Sequence, residues 1–323
     1  MAAFAEGTPC WVDVSLPDLE AGKRFYGELF GWTFGPDRGA EYDHYTEARS
    51  DGKRVAGLIA KRDGRMPTAW GVYFATPDAV ALSRKIRAAG GQLVREPRDI
   101  GPYGVMALAA DPAGAVFGLW QPGEDEGFEK KGLPGSFCWT EVYTRDKESV
   151  DPFYETVFGF QGTDLSGADL SDAGHSDTGH SDTGHSDTDQ SDTDLSGAAR
   201  SGRAEGGSVG GAVDFRTWSP AGAERGADTA IGGRSVITDA FPPEMPSHFL
   251  SYFLVADCDA TVATAVRLGG RVTAPPFGID YGRTAVLVDN QGASFAVLAE
   301  AAVTGEAEAK GDAVVKGEGE EVA

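Results

Sequence analysis

The sequence is poor in cysteine, in basic residues and in long apolar runs. Its three cysteines, Cys10, Cys138 and Cys258, stand far apart. An odd number of isolated cysteines without CxxC spacing argues against a disulfide framework and against a structural zinc site. No apolar stretch approaches the roughly 20 residues that span a bilayer. The opening residues, MAAFAEGTPCW, lack the basic start and apolar core of a secretory signal. Lys and Arg number 28 against 50 Asp and Glu, a net charge of −22. Such a chain repels nucleic acid and anionic membranes unless it carries a basic patch, and the sequence shows none. These absences predict a reduced, cytoplasmic protein with no nucleic-acid partner and no membrane partner. What is present suffices for real cores: 41% of the 323 residues are apolar and 10% aromatic. The length suggests about two domains of roughly 150 residues each.

The negative charge is unevenly spread. Residues 164–208 hold nine Asp and one Glu against two Arg, and residues 303–323 hold six acids against two Lys. The first segment has no aromatic, Val or Ile and consists mainly of Ser, Asp, Thr, Gly, Ala and His. Such a composition cannot bury enough apolar surface to offset the entropy of ordering it. Both segments are therefore expected to be disordered, the first as an insert and the second as an acidic tail.

The remainder is duplicated. PCWVDVSLPDLEAGKRFYGELFGW from Pro9 is answered by FCWTEVYTRDKESVDPFYETVFGF from Phe137 at an offset of 128. That offset pairs Cys10 with Cys138, Trp11 with Trp139, Asp13 with Glu141, and Asp18 with Asp146. Further on, WGVYFATPDAVALSRKIRAAGG matches SYFLVADCDATVATAVRLGG at an offset of 179, aligning Tyr73 with Tyr252. PYGVMALAADPAG then matches DYGRTAVLVDNQG, pairing Tyr103 with Tyr281. The growth in offset, about 51 residues, falls where the Ser/Asp/Gly tract lies, so the tract interrupts a loop of an otherwise complete second copy.

Each copy is itself two similar modules of strand, Asp turn, helix and short strands. Residues 10–16 alternate, with Cys10, Val12 and Val14 on one face and Trp11, Asp13 and Ser15 on the other. A helix follows Asp18, a suitable N-cap, and the spacing of Phe25 and Leu29 beside Tyr26 and Phe30 makes an apolar stripe. A second helix is expected from Asp78 to about Ala89, ended by Gly90-Gly91. DPAG at Asp111 and DNQG at Asp289 read as hairpin turns.

The DLEAGKRFYGELFGW block, the Gly-Gly end of the second helix and the closing DPAGAVFGLWQPG resemble the vicinal oxygen chelate superfamily. That superfamily includes glyoxalase I, extradiol dioxygenases and bleomycin-resistance proteins. The paired CWxxV starts look particularly like those of actinobacterial two-domain glyoxalase-like proteins. The resemblance covers residues 9–121 and 135–299 apart from the insert. It implies an α+β fold of tandem glyoxalase-like domains, each made of two βαβββ modules forming a cleft. The first domain would be 1–125 and the second 126–302, interrupted by the insert at about 164–208, with the tail at 303–323.

Metal-using members place His, Gln or Glu at up to four cleft positions per domain. By the resemblance those positions here are Trp11, Gly57, Gly71 and Gly118 in domain one, and Trp139, Gly232, Leu250 and Ala296 in domain two. None can ligate a metal through its side chain, whereas a bound cation needs at least three such ligands. No cofactor is therefore expected, and no catalytic residue is identified. The face that carries the family's ligand position instead offers Trp11, Asp13 and Tyr73 in domain one and Trp139, Glu141, Tyr143 and Tyr252 in domain two. Tyr103 and Tyr281 sit in Gly-rich loops that would edge the clefts. Trp11, Asp13, Tyr73, Tyr103, Trp139, Glu141, Tyr252 and Tyr281 are the candidate substrate-binding residues. The acids have two readings: a packing role, bonded to backbone or to a Tyr hydroxyl, or contact with a ligand. A desolvated carboxylate would also have a raised pKa suited to a general base.

His175, His180 and His185 recur in the GHSDT tract and would chelate only weakly from a flexible chain. His44 is expected on a middle strand near the cleft, and His248 on the same face as Leu250. The cysteines should point toward the helices, and no basic partner that would activate them is visible.

Two functional classes survive. One is a metal-independent binder of a small molecule, a drug or metabolite, similar to bleomycin-resistance proteins. The alternative is a metal-dependent lyase or dioxygenase of the same superfamily. A weaker third is an interaction protein using the acidic insert. The expected partner is a small-molecule ligand, and the expected state is monomer or homodimer.

Overall fold

In the computed structural model, each of four modules opens on a strand whose hydrophobic side is sealed against helices, followed by a helix capped by aspartate. The structure describes residues 4–64, 67–165, 214–279 and 281–301. Module one comprises β1 (Pro9–Leu16), α1 (Leu19–Phe30), β2 (Thr33–Phe34), β3 (Thr46–Ser50) and β4 (Lys53–Ala60). Module two comprises β5 (Trp70–Ala75), α2 (Ala79–Ala88), β6 (Gln92–Asp99), β7 (Gly104–Ala110) and β8 (Val116–Pro122). Module three holds β9 (Ser136–Thr144), α3 (Lys147–Phe158), β10 (Gln161–Leu165), β11 (Phe215–Ser219) and β12 (Gly232–Val236). Module four holds β13 (His248–Leu254), α4 (Cys258–Arg267), β14 (Arg271–Ile279), β15 (Gly282–Val288) and β16 (Ser294–Glu300).

The helix starts repeat one device. Asp18, Asp78, Asp146 and Asp257 each accept a hydrogen bond from the backbone N–H three residues on, satisfying one of the donors a helix start leaves open. At the other end of α1 and α3, Gly31 and Gly159 adopt φ of 71°, a left-handed position that glycine occupies without strain.

The first two modules form one eight-stranded sheet in the order β2-β3-β4-β1-β5-β8-β7-β6. The last two form a second in the order β10-β11-β12-β9-β13-β16-β15-β14. Within each module the first and last strands pair parallel, and β1 meets β5, and β9 meets β13, antiparallel. The architecture is thus α+β, built from tandem glyoxalase-like βαβββ modules. Cys10, Val12 and Val14 are fully buried, the face that alternation assigned to the helices.

The two domains share a core. Phe30 of α1 meets Phe253 with ring centroids 5.2 Å apart, and Phe74 of β5 meets Phe158 at 5.1 Å. The helix of each first module also bonds to the hairpin turn of the other domain. The buried hydroxyl of Tyr26 donates to Asp289 at 2.8 Å, and that of Tyr154 donates to Asp111 at 3.1 Å. In the same turns Asp111 and Asp289 accept from the backbone N–H of Ala115 and Ala293. The duplicated helices therefore pack across the domain boundary, where a stripe read from sequence alone cannot say which sheet covers it.

The boundaries differ in detail from those the sequence suggests. Phe128 donates its N–H to Cys10, and Glu129 and Lys130 donate theirs to Arg54, so the segment after 125 continues on domain one. Strand β10 runs through Leu165, two residues past the expected start of the insert. The rest of that tract, with its three histidines, and the tail at 303–323 lie outside the described residues. No helix among the described residues is long and apolar enough to cross a membrane.

Candidate active cleft

The register of the central strands puts the predicted residues on one face. Trp11 stands opposite Tyr73, and Tyr73 opposite Gly118. Asp13 stands between Gly71 on one side and Gly57 on the other. The glycines matter for what they omit. A Cβ at Gly57 would lie 2.0 Å from the Tyr45 hydroxyl oxygen, and one at Gly118 would lie 2.1 Å from the Tyr73 ring. Two positions where relatives with a metal would carry ligands are thus empty of side chain so that two tyrosine rings can lie across the sheet.

The polar groups of this face are linked. Tyr73 donates its hydroxyl hydrogen to Asp13 Oδ2 at 2.9 Å, and Trp11 Nε1 donates to the Tyr45 hydroxyl at 2.5 Å. Asp13 Oδ1 has no hydrogen-bond partner among the described residues. Burial raises the Asp13 pKa from the ordinary carboxylate range to about 7, against the lowering effect of the Tyr73 hydrogen bond and the Arg95 charge. Burial likewise pushes the Tyr45 and Tyr73 hydroxyls well above their usual range, with the Asp13 charge adding to it.

Above them is a cavity of about 100 Å³. One water needs roughly 10–15 Å³, so the space suits something larger. Its walls include Trp11, Asp13, Tyr45, Tyr73, Tyr103 and Trp120, with Ile59, Ile100 and Met106. Arg38 caps one side, its guanidinium 3.8 Å from the Tyr103 ring centroid. It is held by Glu47, which also binds Arg49, and stands 4.0 Å from Asp125, which is paired with Arg54.

Domain two brings its predicted residues together differently. Glu141 accepts from Trp139 Nε1, the Ser235 hydroxyl and the Tyr252 hydroxyl, each at 3.1 Å. Burial raises the Glu141 pKa, and these three hydrogen bonds oppose the rise. Tyr143 fills the neighbouring space, stacked on His248 with ring centroids 5.3 Å apart and in reach of the Tyr252 hydroxyl at 3.4 Å. The strand register makes Ser235 the counterpart of Ile59, Phe215 of Tyr45, and Tyr143 of Ser15. It also places Gly233, not the Gly232 suggested by sequence, opposite Glu141.

Of the eight candidate residues, Trp11, Asp13, Tyr73 and Tyr103 line one cavity, and Trp139, Glu141 and Tyr252 form the domain-two cluster. Tyr281 is 57% exposed, on the surface, unlike its partner Tyr103. His44 is not on a strand: it sits with Asp43 in a left-handed turn ahead of β3, its Nδ1 2.7 Å from Asp37. Alternation and spacing do not single out Arg38, Tyr45, Trp120 or the β6 residues Arg95 and Arg98, which also line the cavity. The paired glycines opposite tyrosines were the available signal for Tyr45. A basic partner for the thiols does exist, since Lys131 acts on both Cys10 and Cys138. Burial outweighs it, and both thiols are pushed up to about 12.

A metal of the kind used elsewhere in this fold does not fit the residues present. The four positions facing the cleft in domain one are an indole and three glycines, Asp13 is a single carboxylate, and the described residues contain no group of three His, Cys, Asp or Glu that could hold an ion.

Two mixed sheets of paired βαβββ modules, each with a cleft face between its central strands, define the class of glyoxalase-like folds. Residues 11–120 match the family described as glyoxalase-like domain. The chain is 33% identical over 314 residues to the anthracycline biosynthesis protein DnrV of Streptomyces peucetius, covering 92% of this chain and 95% of that one. In fold it is similar to the Mn(II)-bound glyoxalase of Novosphingobium aromaticivorans, with a TM-score of 0.54 and 15% identity over 91% of this chain and 82% of the other. It is similar too to 2,2',3-trihydroxybiphenyl 1,2-dioxygenase of Sphingomonas wittichii, with a TM-score of 0.53 and 12% identity over 91% of each chain. The chain belongs to the vicinal oxygen chelate superfamily, as a two-domain glyoxalase-like protein.

Proposed function

We propose that the protein binds a small molecule, a drug or metabolite, in the domain-one cleft without using a metal. The observation that carries this reading is the filling of the family's ligand positions. Gly57 and Gly118 make room for the Tyr45 and Tyr73 rings, and what faces the cavity is an aromatic wall with one carboxylate oxygen free to accept a hydrogen bond. Concave sites of this kind, mostly apolar with a few placed polar groups, suit small ligands. The naming of a relative for anthracycline biosynthesis supports a low-molecular-weight ligand rather than a macromolecule. In this reading the protein is cytoplasmic, a monomer or homodimer, with neither nucleic acid nor membrane as partner.

The test is metal analysis of purified, untagged protein after dialysis against a chelator, alongside a thermal-shift screen of metabolites and antibiotics. The expected result is well under one tightly held divalent ion per chain and at least one stabilising compound whose effect is lost in Asp13→Asn or in a bulky replacement of Gly118. Stoichiometric iron, zinc, nickel or manganese that survives dialysis and the removal of residues 166–213 would instead support the metal-dependent lyase or dioxygenase.

A further inference from the structure

Strand β6 carries two arginines, Arg95 and Arg98, three residues apart. In a regular strand, residues at that spacing point to opposite faces. Here the pairing of β6 with β7 slips between Leu93 and Arg95 and again between Arg95 and Arg98. Such bulges re-aim side chains, and both arginines line the domain-one cavity. Neither forms an ion pair or a hydrogen bond with another described residue. The other cavity charges are mostly matched: Asp125 is paired with Arg54, Asp43 with Arg62, and Arg38 with Glu47. One exposed carboxylate without such a partner, Glu41, stands against the two arginines.

Domain two has the same bulges in β14, between Val272 and Ala274 and between Ala274 and Phe277. By register Ala274 replaces Arg95 and Phe277 replaces Arg98. The bulged strand is thus common to both copies, and the two cations belong to domain one alone.

We infer that the domain-one cleft takes a planar aromatic carboxylate bearing a hydroxyl group, with the carboxylate on Arg95 and Arg98, the ring among Trp11, Tyr73 and Trp120, and the hydroxyl donated to Asp13 Oδ1. This inference rests on the small-molecule reading above and adds the chemical class. Guanidinium groups suit carboxylates because their fork of N–H donors matches two oxygens. Aromatic walls suit a flat ring. The Asp13 oxygen left without a partner can accept a donor. The Arg95 charge acts on Asp13 across the same cavity, so one short, flat ligand can present its anion to the arginines and its hydroxyl to Asp13.

The test uses 4-hydroxybenzoate, its methyl ester and tyramine, which share a hydroxylated ring and differ in charge. Binding to the full chain is followed by isothermal titration and by quenching of tryptophan fluorescence. Expected is 1:1 binding of 4-hydroxybenzoate that weakens with added salt. It should be about 10-fold or more tighter than that of the ester. Replacing both arginines, Arg95→Ala with Arg98→Ala, should cost a similar factor, and Phe277→Ala in domain two should change nothing. Both arginines are exposed, so the fold should survive, as circular dichroism and melting would report. Equal or tighter binding of the ester or tyramine, or binding indifferent to the arginines, overturns the anionic assignment and leaves cleft binding standing. Failure of all three probes to bind overturns the hydroxylated aromatic carboxylate, while the metabolite screen decides the broader small-molecule reading.

Discussion

The two clefts descend from one pattern and differ in how their buried acid is satisfied. Glu141 has three donors around it and a tyrosine packed into the space beside it. Asp13 has one donor, Tyr73, and a cavity beside it. Three differences bear on this: Ser235 stands where domain one has Ile59, Tyr143 where it has Ser15, and Phe215 where it has Tyr45, which takes the indole hydrogen of Trp11 that in domain two goes to Glu141. A carboxylate with enough internal donors is a structural part. One left short of donors in a desolvated pocket holds its proton near neutral pH and can answer a ligand. The frame that carries the two clefts, by contrast, is symmetric to the level of single hydrogen bonds, as Tyr26–Asp289 and Tyr154–Asp111 show.

The sharpest way to separate the clefts is the pH dependence of stability. Asp13 has a folded pKa near 7, above its unfolded value, so the folded chain holds this proton more tightly. The stability it contributes is complete below about pH 4 and is lost as pH rises to about 7. Asp13→Asn removes that loss. Its stability relative to the parent should rise between pH 4 and 8, by up to about 4 kcal/mol at 1.4 kcal/mol per unit of pKa. Glu141→Gln should gain less, since its donors already offset desolvation. Melting curves at pH 4, 6 and 8 measure both, and equal slopes would erase the distinction.

Gly118→Ala should come next, at about 1–3 kcal/mol of destabilisation. The added methyl falls 2.1 Å from the Tyr73 ring and must displace it, breaking the Tyr73–Asp13 bond. Domain two already carries Ala296 at this place, opposite Tyr252. There Tyr252 still reaches the longer Glu141, whereas Tyr73 pushed off Gly118 should lose the shorter Asp13, and ligand binding in domain one should fall. Unchanged melting and unchanged binding would show that Tyr73 is not held by the gap.

The symmetry of the frame is tested by Tyr26→Phe and Tyr154→Phe. Each removes one buried hydroxyl from an aspartate of the other domain and should cost about 1–2 kcal/mol in denaturant unfolding. Near-equal costs are expected, and a several-fold difference would mean that only one contact couples the domains. The smallest effect should come from joining Leu165 to Asp214 by a short turn. Residues 165 and 215 are already paired across β10 and β11, and loop-closure entropy changes slowly with length. A fall in melting temperature beyond about 3 °C would show that the tract contributes to the fold.

Much of the fold was legible because its signals are local. Alternation in residues 10–16 separated Trp11 and Asp13 from Cys10, Val12 and Val14, and the structure buries the second set completely. Asp18 and Asp78 marked helix starts, and the DPAG and DNQG turns fell where expected. Asp13 and Tyr73, and Glu141 and Tyr252, share one face of their strands as alternation predicts, because antiparallel pairing keeps residues on one face in step. The β6 arginines could not be placed in this way, since two bulges break the period on which that reasoning rests. His44 escaped for a similar reason: a left-handed turn ends the strand that alternation would have continued.

The sequence by itself determined the duplication, the four modules, the facing of their first strands and the presence of one acid per cleft, because these follow from spacing along the chain. Only the tertiary structure decided which acid has partners to spare and which has not. Those partners come from other strands: Ser235 and Tyr252 for Glu141, Tyr73 alone for Asp13. Tertiary structure also decided that each duplicated helix would seal the opposite domain, since an apolar stripe specifies burial and leaves open which surface provides it.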